Sequence, residues 1–264
     1  MIQLDFIRGY FPEHIRHNRL FDTYMLKEYL QLLILDYLSN TPYMKKMTFI
    51  GGTCLRLIKG IDRFSEDLDF DCDDITLEEF NQMTDGILLM LRRNGIMAET
   101  RDRENARLTA FRRSIFFPGM LFSLGLTGHR TERLLIKIEA QDQGVQYVAE
   151  TANIKGCGFY FPLRVPPDGV LCSMKIAAML SRSKGRDFYD VIFLLGLTKP
   201  DYTFLNEKCG IGNMIELKTA ISDLLRHTSL ERKMKDFEHL LIIPSNNKKI
   251  LHFDRIVEGY LTEQ

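Results

Sequence analysis

Two aspartates, Asp67 and Asp69, stand two residues apart in the stretch Phe49 to Asp71, FIGGTCLRLIKGIDRFSEDLDFD. On a β-strand such neighbours point the same way, so their carboxylates can share one hard cation. Upstream, Gly51 and Gly52 let backbone amides approach an anion closely, and Thr53 is expected to open a short helix whose N-terminus favours phosphate. A phosphate cradle beside a carboxylate pair is the outline of magnesium-dependent phosphoryl chemistry. Each half has a plainer reading, since a lone Gly-Gly is most often a turn and a lone Asp-x-Asp a solvated edge or a cap. No Gly-Lys-Ser/Thr follows the glycines, which excludes a Walker loop.

A second charged stretch runs from Ser173 to Leu195, SMKIAAMLSRSKGRDFYDVIFLL. Lys175 and Arg182 are two helical turns apart and share a stripe, while Asp187 and Asp190, three apart, share a face of the next helix. Without further context these charges read as an exposed ion-pair ladder between two helices, worth little energetically. Glu139, near the end of LLIKIEA, is a candidate third metal ligand; a salt bridge at a strand end is the alternative, and Asp71 competes for the same role.

The order strand, Gly-Gly-Thr, short helix, Arg63-Phe64-Ser65, Asp67-x-Asp69 resembles the nucleotidyltransferase superfamily, and the wording is similar to its AbiEii/AbiGii toxin branch. Lys175 to Asp190 resembles the K-x-x-A…R-x-x-x-R-D-x-x-D pattern that ends that family, and the middle part, FPGMLFSLGL…HRTERLLIKIEAQDQG, looks familial as well. The resemblance places Gly51, Gly52 and Thr53 in the phosphate loop, makes Asp67 and Asp69 the metal pair, gives Lys175 the nucleotide triphosphate, and makes Asp187 the later essential aspartate. Arg63, Ser65, Arg182, Arg186 and Asp190 match further motif positions; of these, Arg63, Ser65 and Arg182 are expected to help bind the nucleotide. One departure is the Gly-Gly-Thr turn, where the wider superfamily has Gly-Ser and the toxin branch has threonine.

These residues need elements to position them. Asn18 to Ser39 has the apolar spacing of an amphipathic helix, and Met47 to Ile50 that of a strand leading into the glycines. Thr76 and Glu79 form a capping box for a helix with Leu77, Phe80, Ile87, Leu88 and Leu91 as its buried stripe, ending at Asn94-Gly95. Strands are expected at Met97 to Thr100, Leu108 to Phe117, Met120 to Leu126 and Leu134 to Ala140, with Pro118-Gly119 as a hairpin turn. The Gly- and Pro-rich segment between Ala140 and Pro167 reads as loop and domain boundary. Helices follow over Leu171 to Ser183, Phe188 to Leu197 and Asn213 to Thr228, with two more near Arg232 to Leu241 and Phe253 to Leu261. The expected architecture is an α/β (α+β) nucleotidyltransferase-like domain with a mixed sheet over residues 1–160, then a helical bundle over 161–264, with the active site in the cleft between them. Beyond Leu197 no motif stands out, and substrate choice is expected to reside partly there.

The chain's 264 residues can bury a sizeable core, and a hydrophobic share of 45% with 27% charged residues excludes disorder. Lys plus Arg and Asp plus Glu both number 35, so any nucleic acid must meet a local patch. Arg92-Arg93, the group Arg101, Arg103, Arg107, Arg112 and Arg113, and a rim of His129, Arg130 and Arg133 are the candidates, against the commoner reading of a solvated face. The five cysteines make no zinc spacing and read as reduced, mostly buried thiols, and the six histidines fit no metal or triad pattern. With no signal peptide and no apolar run near ~20 residues, a cytoplasmic protein with no membrane association is expected.

The resemblance implies a metal-dependent nucleotidyltransferase using one or two Mg2+ ions and an NTP co-substrate. It would be the toxin of a toxin–antitoxin or phage-defence pair, transferring NMP to an acceptor such as the 3′ end of tRNA, with a separate antitoxin protein. Two rivals stand beside it: transfer to a small-molecule or protein hydroxyl, and a non-catalytic module that binds a nucleotide or a partner.

Overall fold

The computed structural model describes residues 2–100 and 110–262. The chain divides into two compact units, Met1–Gly60 with Phe64–Asp142 and Thr151–Val165, and Ile61–Arg63 with Gln143–Glu150 and Pro166–Gln264.

The first unit opens with two short helices, α1 (Leu4–Arg8) and α2 (Glu13–Arg16), before the long α3 (Asp22–Ser39). Then come β1 (Met47–Ile50), the single turn α4 (Gly51–Cys54) continued by a wide π-type turn over Leu55–Lys59, and β2 (Leu68–Cys72). Helix α5 (Leu77–Arg93) follows, with β3 (Glu99–Thr100), β4 (Phe111–Phe117), the turn α6 (Met120–Ser123) and β5 (Leu134–Gln141). These strands make one mixed sheet ordered β1-β2-β5-β4-β3, in which β2 and β5 run parallel and the other pairs antiparallel. The α/β class and the mixed sheet are those expected from the sequence.

Alternation along the strands gives the sheet two unlike faces. Leu134, Ile136, Ile138 and Ala140 of β5, with Ile115 and Phe117 of β4 and Leu68 and Phe70 of β2, are buried in the core. Leu135, Lys137 and Glu139 alternate onto the other, half-exposed face. Helix α5 starts with the capping box read from the sequence, Thr76 accepting from the Glu79 amide and Glu79 from the Thr76 amide. It ends at Asn94, with Gly95 left-handed at φ +72°.

Some local readings differ from the structure. Leu77 is exposed rather than part of the buried stripe, because as the first helical residue it precedes the packed turns. Met120–Ser123 is a helical turn, not a strand, and Gly119 at φ +66° begins it instead of closing a hairpin. A short apolar run carries no period long enough to separate the two. The Gly- and Pro-rich segment holds an antiparallel two-stranded sheet, β6 (Glu150–Gly156) and β7 (Phe159–Val165), turned by Cys157 and Gly158, both with positive φ. A division at residues 160 and 161 would fall inside β7. The start of the strand expected from Leu108 lies outside the described residues.

The second unit is helical: α7 (Asp168–Arg182), α8 (Gly185–Leu195), α9 (Tyr202–Cys209), α10 (Met214–Arg226), α11 (Leu230–Lys235) and α12 (Phe253–Tyr260), with 3-10 turns at Glu238–Leu240 and Pro244–His252. Helix α8 packs against α7, α11 and α12. Its core includes Phe188 edge-on to Phe253, with ring centroids 5.0 Å apart, and Val170 and Phe204 against Tyr147 and Met174. Helix α9 escaped the sequence reading although Asp201 caps it, accepting from the Phe204 amide. All five cysteines are free thiols; Cys54, Cys72 and Cys172 are buried, and Cys209 is exposed. Among the described residues no helix is long and apolar enough to cross a membrane.

Candidate active site

In the first unit the glycine turn and the acidic strand lock together. Gly51 adopts φ +82°, a region that L side chains rarely occupy, and a Cβ there would overlap the Asp69 carboxylate. Glycine at this position therefore satisfies both the backbone and the approach of Asp69. The helical turn begins at Gly51, two residues earlier than the sequence reading placed it. Thr53 is buried, and its hydroxyl donates to the Asp67 carbonyl. It thus ties the loop to the entry of β2.

Asp67 immediately precedes β2 rather than lying within it, while Asp69 sits inside the strand. In the parallel pairing of β2 with β5, Asp69 stands opposite Glu139, so the two carboxyl groups share a face. Glu139 takes an ion pair from Arg112 at 2.7 Å, and Asp67 lies 3.9 Å from the Lys137 ammonium. Asp71 stays in phase further along, opposite Thr48 and Gln141.

Helix α3 supports this loop with polar residues that the sequence reading passed over. Gln31 donates to the Ser65 carbonyl at 3.1 Å and faces the Thr53 hydroxyl. Lys27 pairs with Glu66, and Glu28 with Arg56, each at 2.8 Å. The Arg56 guanidinium also lies over the Phe64 ring, 5.1 Å from its centroid. Three polar residues, Lys27, Glu28 and Gln31, interrupt the apolar pattern of α3 and are nonetheless buried. That interruption was the available signal.

A second constellation lies in the helical unit. Asp190 is fully buried and accepts from Arg63 Nε and Nη2, along one edge of the guanidinium, at 2.7 Å each, and from Lys175 at 2.9 Å. Burial alone would push its pKa up, but the Arg63 and Lys175 charges outweigh that and hold it down at about 2. Asp187, also fully buried, takes Arg182 at 2.7 and 3.0 Å and the Lys184 amide at 3.1 Å. The alternative reading of an exposed ladder therefore fails for the acids: both carboxylates and Lys175 are buried, and only Arg182 reaches the surface, with its side chain 44% exposed. Arg63 is anchored through more than its side chain, because its backbone bridges to Leu241 and the adjacent Asp62 carbonyl accepts from Ile242 at 3.0 Å. The Asp62 carboxylate accepts in turn from Tyr189 and Asn246. Burial first, then Asp62, keeps the Tyr189 hydroxyl protonated well beyond its usual range.

A hard divalent cation wants oxygen donors, and Asp67, Asp69 and Glu139 offer carboxylates on one sheet face. Among the described residues no three His, Cys, Asp or Glu side chains converge on a single point as a ready cage. The Gly51 cradle and the Asp67–Asp69 pair fit such an ion; a third bond from Glu139 requires its carboxylate to turn from Arg112. Of the expected arginine group, Arg101, Arg103 and Arg107 lie outside the described residues. Arg113 is drawn to the buried side by Asp85 and the Thr84 hydroxyl.

A mixed sheet whose glycine turn abuts an Asp-x-Asp strand, with a parallel neighbour carrying a further carboxylate, is the arrangement of a nucleotidyltransferase. Residues 33–237 match the family model described as nucleotidyl transferase AbiEii toxin, type IV toxin–antitoxin system. The chain belongs to that family. Membership implies an NTP substrate and a cognate antitoxin. The nucleotidyltransferase toxin MenT4 of Mycobacterium tuberculosis has a similar fold, with a TM-score of 0.59 at 14% identity over 98% of this chain and 90% of that one. JHP933 of Helicobacter pylori is also similar, with a TM-score of 0.54 at 19% identity over 90% of this chain and 91% of the other. No curated protein matches the sequence.

Proposed function

We propose that this protein transfers a nucleoside monophosphate from an NTP to an RNA acceptor such as the 3′ end of tRNA, with Mg2+ held by Asp67 and Asp69, and that this is its toxic activity. The observation that carries the reading is the fit between Gly51 and Asp69, which leaves room for a carboxylate where any side chain would intrude.

Bound between Asp67 and Asp69, and reached by Glu139, one or two Mg2+ ions would lower the pKa of an acceptor hydroxyl and offset charge on the triphosphate. The chain's own groups do the rest. The Gly51 and Gly52 amides receive phosphate oxygens, and the absence of side chains there permits close approach. Thr53 keeps Asp67 in register with that loop through its bond to the Asp67 carbonyl. Ser65, whose carbonyl is fixed by Gln31, sets the path into β2. The resemblance assigns Lys175 and Arg182 to the nucleotide phosphates; Arg182 is exposed beside Asp187, whereas Lys175 is buried against Asp190 and meets a phosphate only by turning from that carboxylate. Arg63 acts through Asp190 rather than on the nucleotide directly, since its guanidinium is buried and spent on that carboxylate.

The test is an incubation of purified protein, Mg2+ and each radiolabelled NTP in turn with total RNA. Lengthening of tRNA by wild type and its loss in Asp69→Asn are expected. Identical gel patterns from the two proteins with all four NTPs would overturn the reading, and label on a protein or small molecule with RNA untouched would reassign the acceptor.

A further inference from the structure

We infer that the half-exposed face of β4 and β5 is the track on which the acceptor's single-stranded 3′ end lies, an inference that rests on the proposed RNA acceptor. The strands pair so that Arg112 stands opposite Glu139, Ser114 opposite Lys137, and Phe116 opposite Leu135. Residues directly opposite in an antiparallel pair share a face. One surface therefore carries, in order, the carboxylates Asp69 and Glu139, the cations Arg112 and Lys137, and the ring of Phe116. The exposed Arg133 covers that ring, its guanidinium carbon 5.7 Å from the centroid.

This order matters chemically. Single-stranded nucleic acid is held by cations that follow its phosphates and by aromatic faces on which bases stack, with Arg stacking beside them. Sheet surfaces that present such rings take two or three bases. From Leu135 to Glu139 the strand advances roughly 13 Å, a span of that size. Arg112 and Lys137 remain accessible, with side chains 42% and 39% exposed, although each faces an acidic partner. The opposite face of the same strands offers nothing comparable, being Ile115, Phe117, Ile136 and Ile138 in the core. A strand with an upstream base near Phe116 and Arg133, running along β5 so that its last nucleotide lies over Arg112 and Glu139, would bring the terminal hydroxyl to the carboxylate end. Charge combined with stacking favours RNA over a peptide.

The experiment is fluorescence anisotropy with a short 5′-labelled single-stranded RNA bearing a free 3′ hydroxyl, using Arg133→Gln and Phe116→Leu, both checked by thermal melting against wild type. Each substitution is expected to weaken RNA binding by roughly five- to a hundredfold. Arg133→Gln should also reduce the slope of log K against log salt by about 0.7. NTP affinity is expected to stay at the wild-type value in both. Equal RNA binding by wild type and the two variants overturns the track, as does a wild type that ignores the strand. Should either variant lose RNA binding while the wild type shows no nucleotide transfer to RNA, the track stands and the proposed reaction fails. If wild type lengthens RNA and both variants bind it normally, the reaction stands and the track fails.

Discussion

Arg63 and Asp190, 127 positions apart, meet in a two-pronged ion pair that is almost wholly withdrawn from solvent, with Lys175 closing its third side. One carboxylate therefore balances two cations inside a protein interior. Such an arrangement is stable only while every member is present, because a lone charge left in low dielectric is costly. Asp190→Asn is expected to cost about 3–5 kcal/mol of stability, read as a fall in the urea midpoint at unchanged slope. An isostere that unfolds like wild type would show that the pair contributes little.

The same carboxylate makes a pH prediction. Its folded pKa, about 2, lies below the ordinary 3.8, so the folded state favours the ionised form. The resulting stabilisation is fully present above pH 3.8 and is lost as pH falls through about 2. Wild type's stability advantage over Asp190→Asn should narrow between those values and stay constant from pH 5 to 7. Acid titrations of urea midpoints for both proteins would check this, and a gap unaffected by acid would contradict it.

Gly51 and Gly60 offer a matched comparison. Both have positive φ, +82° and +72°, but a Cβ at Gly60 meets nothing within 4 Å whereas one at Gly51 overlaps Asp69. Gly60→Ala should pay only backbone strain, about 1–2 kcal/mol, and keep its transfer rate. Gly51→Ala should lose the rate by at least a hundredfold and weaken Mn2+ binding measured by calorimetry. Equal behaviour of the two would mean that the carboxylate's approach to the turn is incidental.

Thr53 can be separated into hydroxyl and shape. Thr53→Ser keeps the donor to the Asp67 carbonyl and should retain most activity. Thr53→Val keeps the volume, loses one buried hydrogen bond worth about 1 kcal/mol, and should slow transfer by more than that stability loss explains. Rates and melting temperatures of both variants measure the difference.

Features set by neighbours in sequence were open to reading from sequence. The Thr76 and Glu79 cap, the alternation of β5 and the Gly51 turn depend on a few adjacent residues. What could not be read depends on partners far along the chain. Nothing near Asp190 distinguishes a surface ladder from a buried knot, because Arg63, which decides it, comes from another part of the sequence. Likewise Lys27, Glu28 and Gln31 look like the polar side of an amphipathic helix until Glu66, Arg56 and Ser65 are set beside them. The hairpin of β6 and β7 was hidden by its glycines and prolines, which signal turns without saying what the turns join.

The tripeptide Ile61–Arg63 belongs to the helical unit although the chain on both sides of it does not. It is fastened there by Leu241, Ile242 and Asn246, from a region with no recognisable signature of its own. A shortened version stopping after the last motif, at about residue 197, would keep the motifs from Gly51 to Asp190 and still strip Asp62 and Arg63 of these moorings. The tail is thus part of what holds the motifs in working order, and anyone trimming this toxin to its signature sequences should expect an inert product.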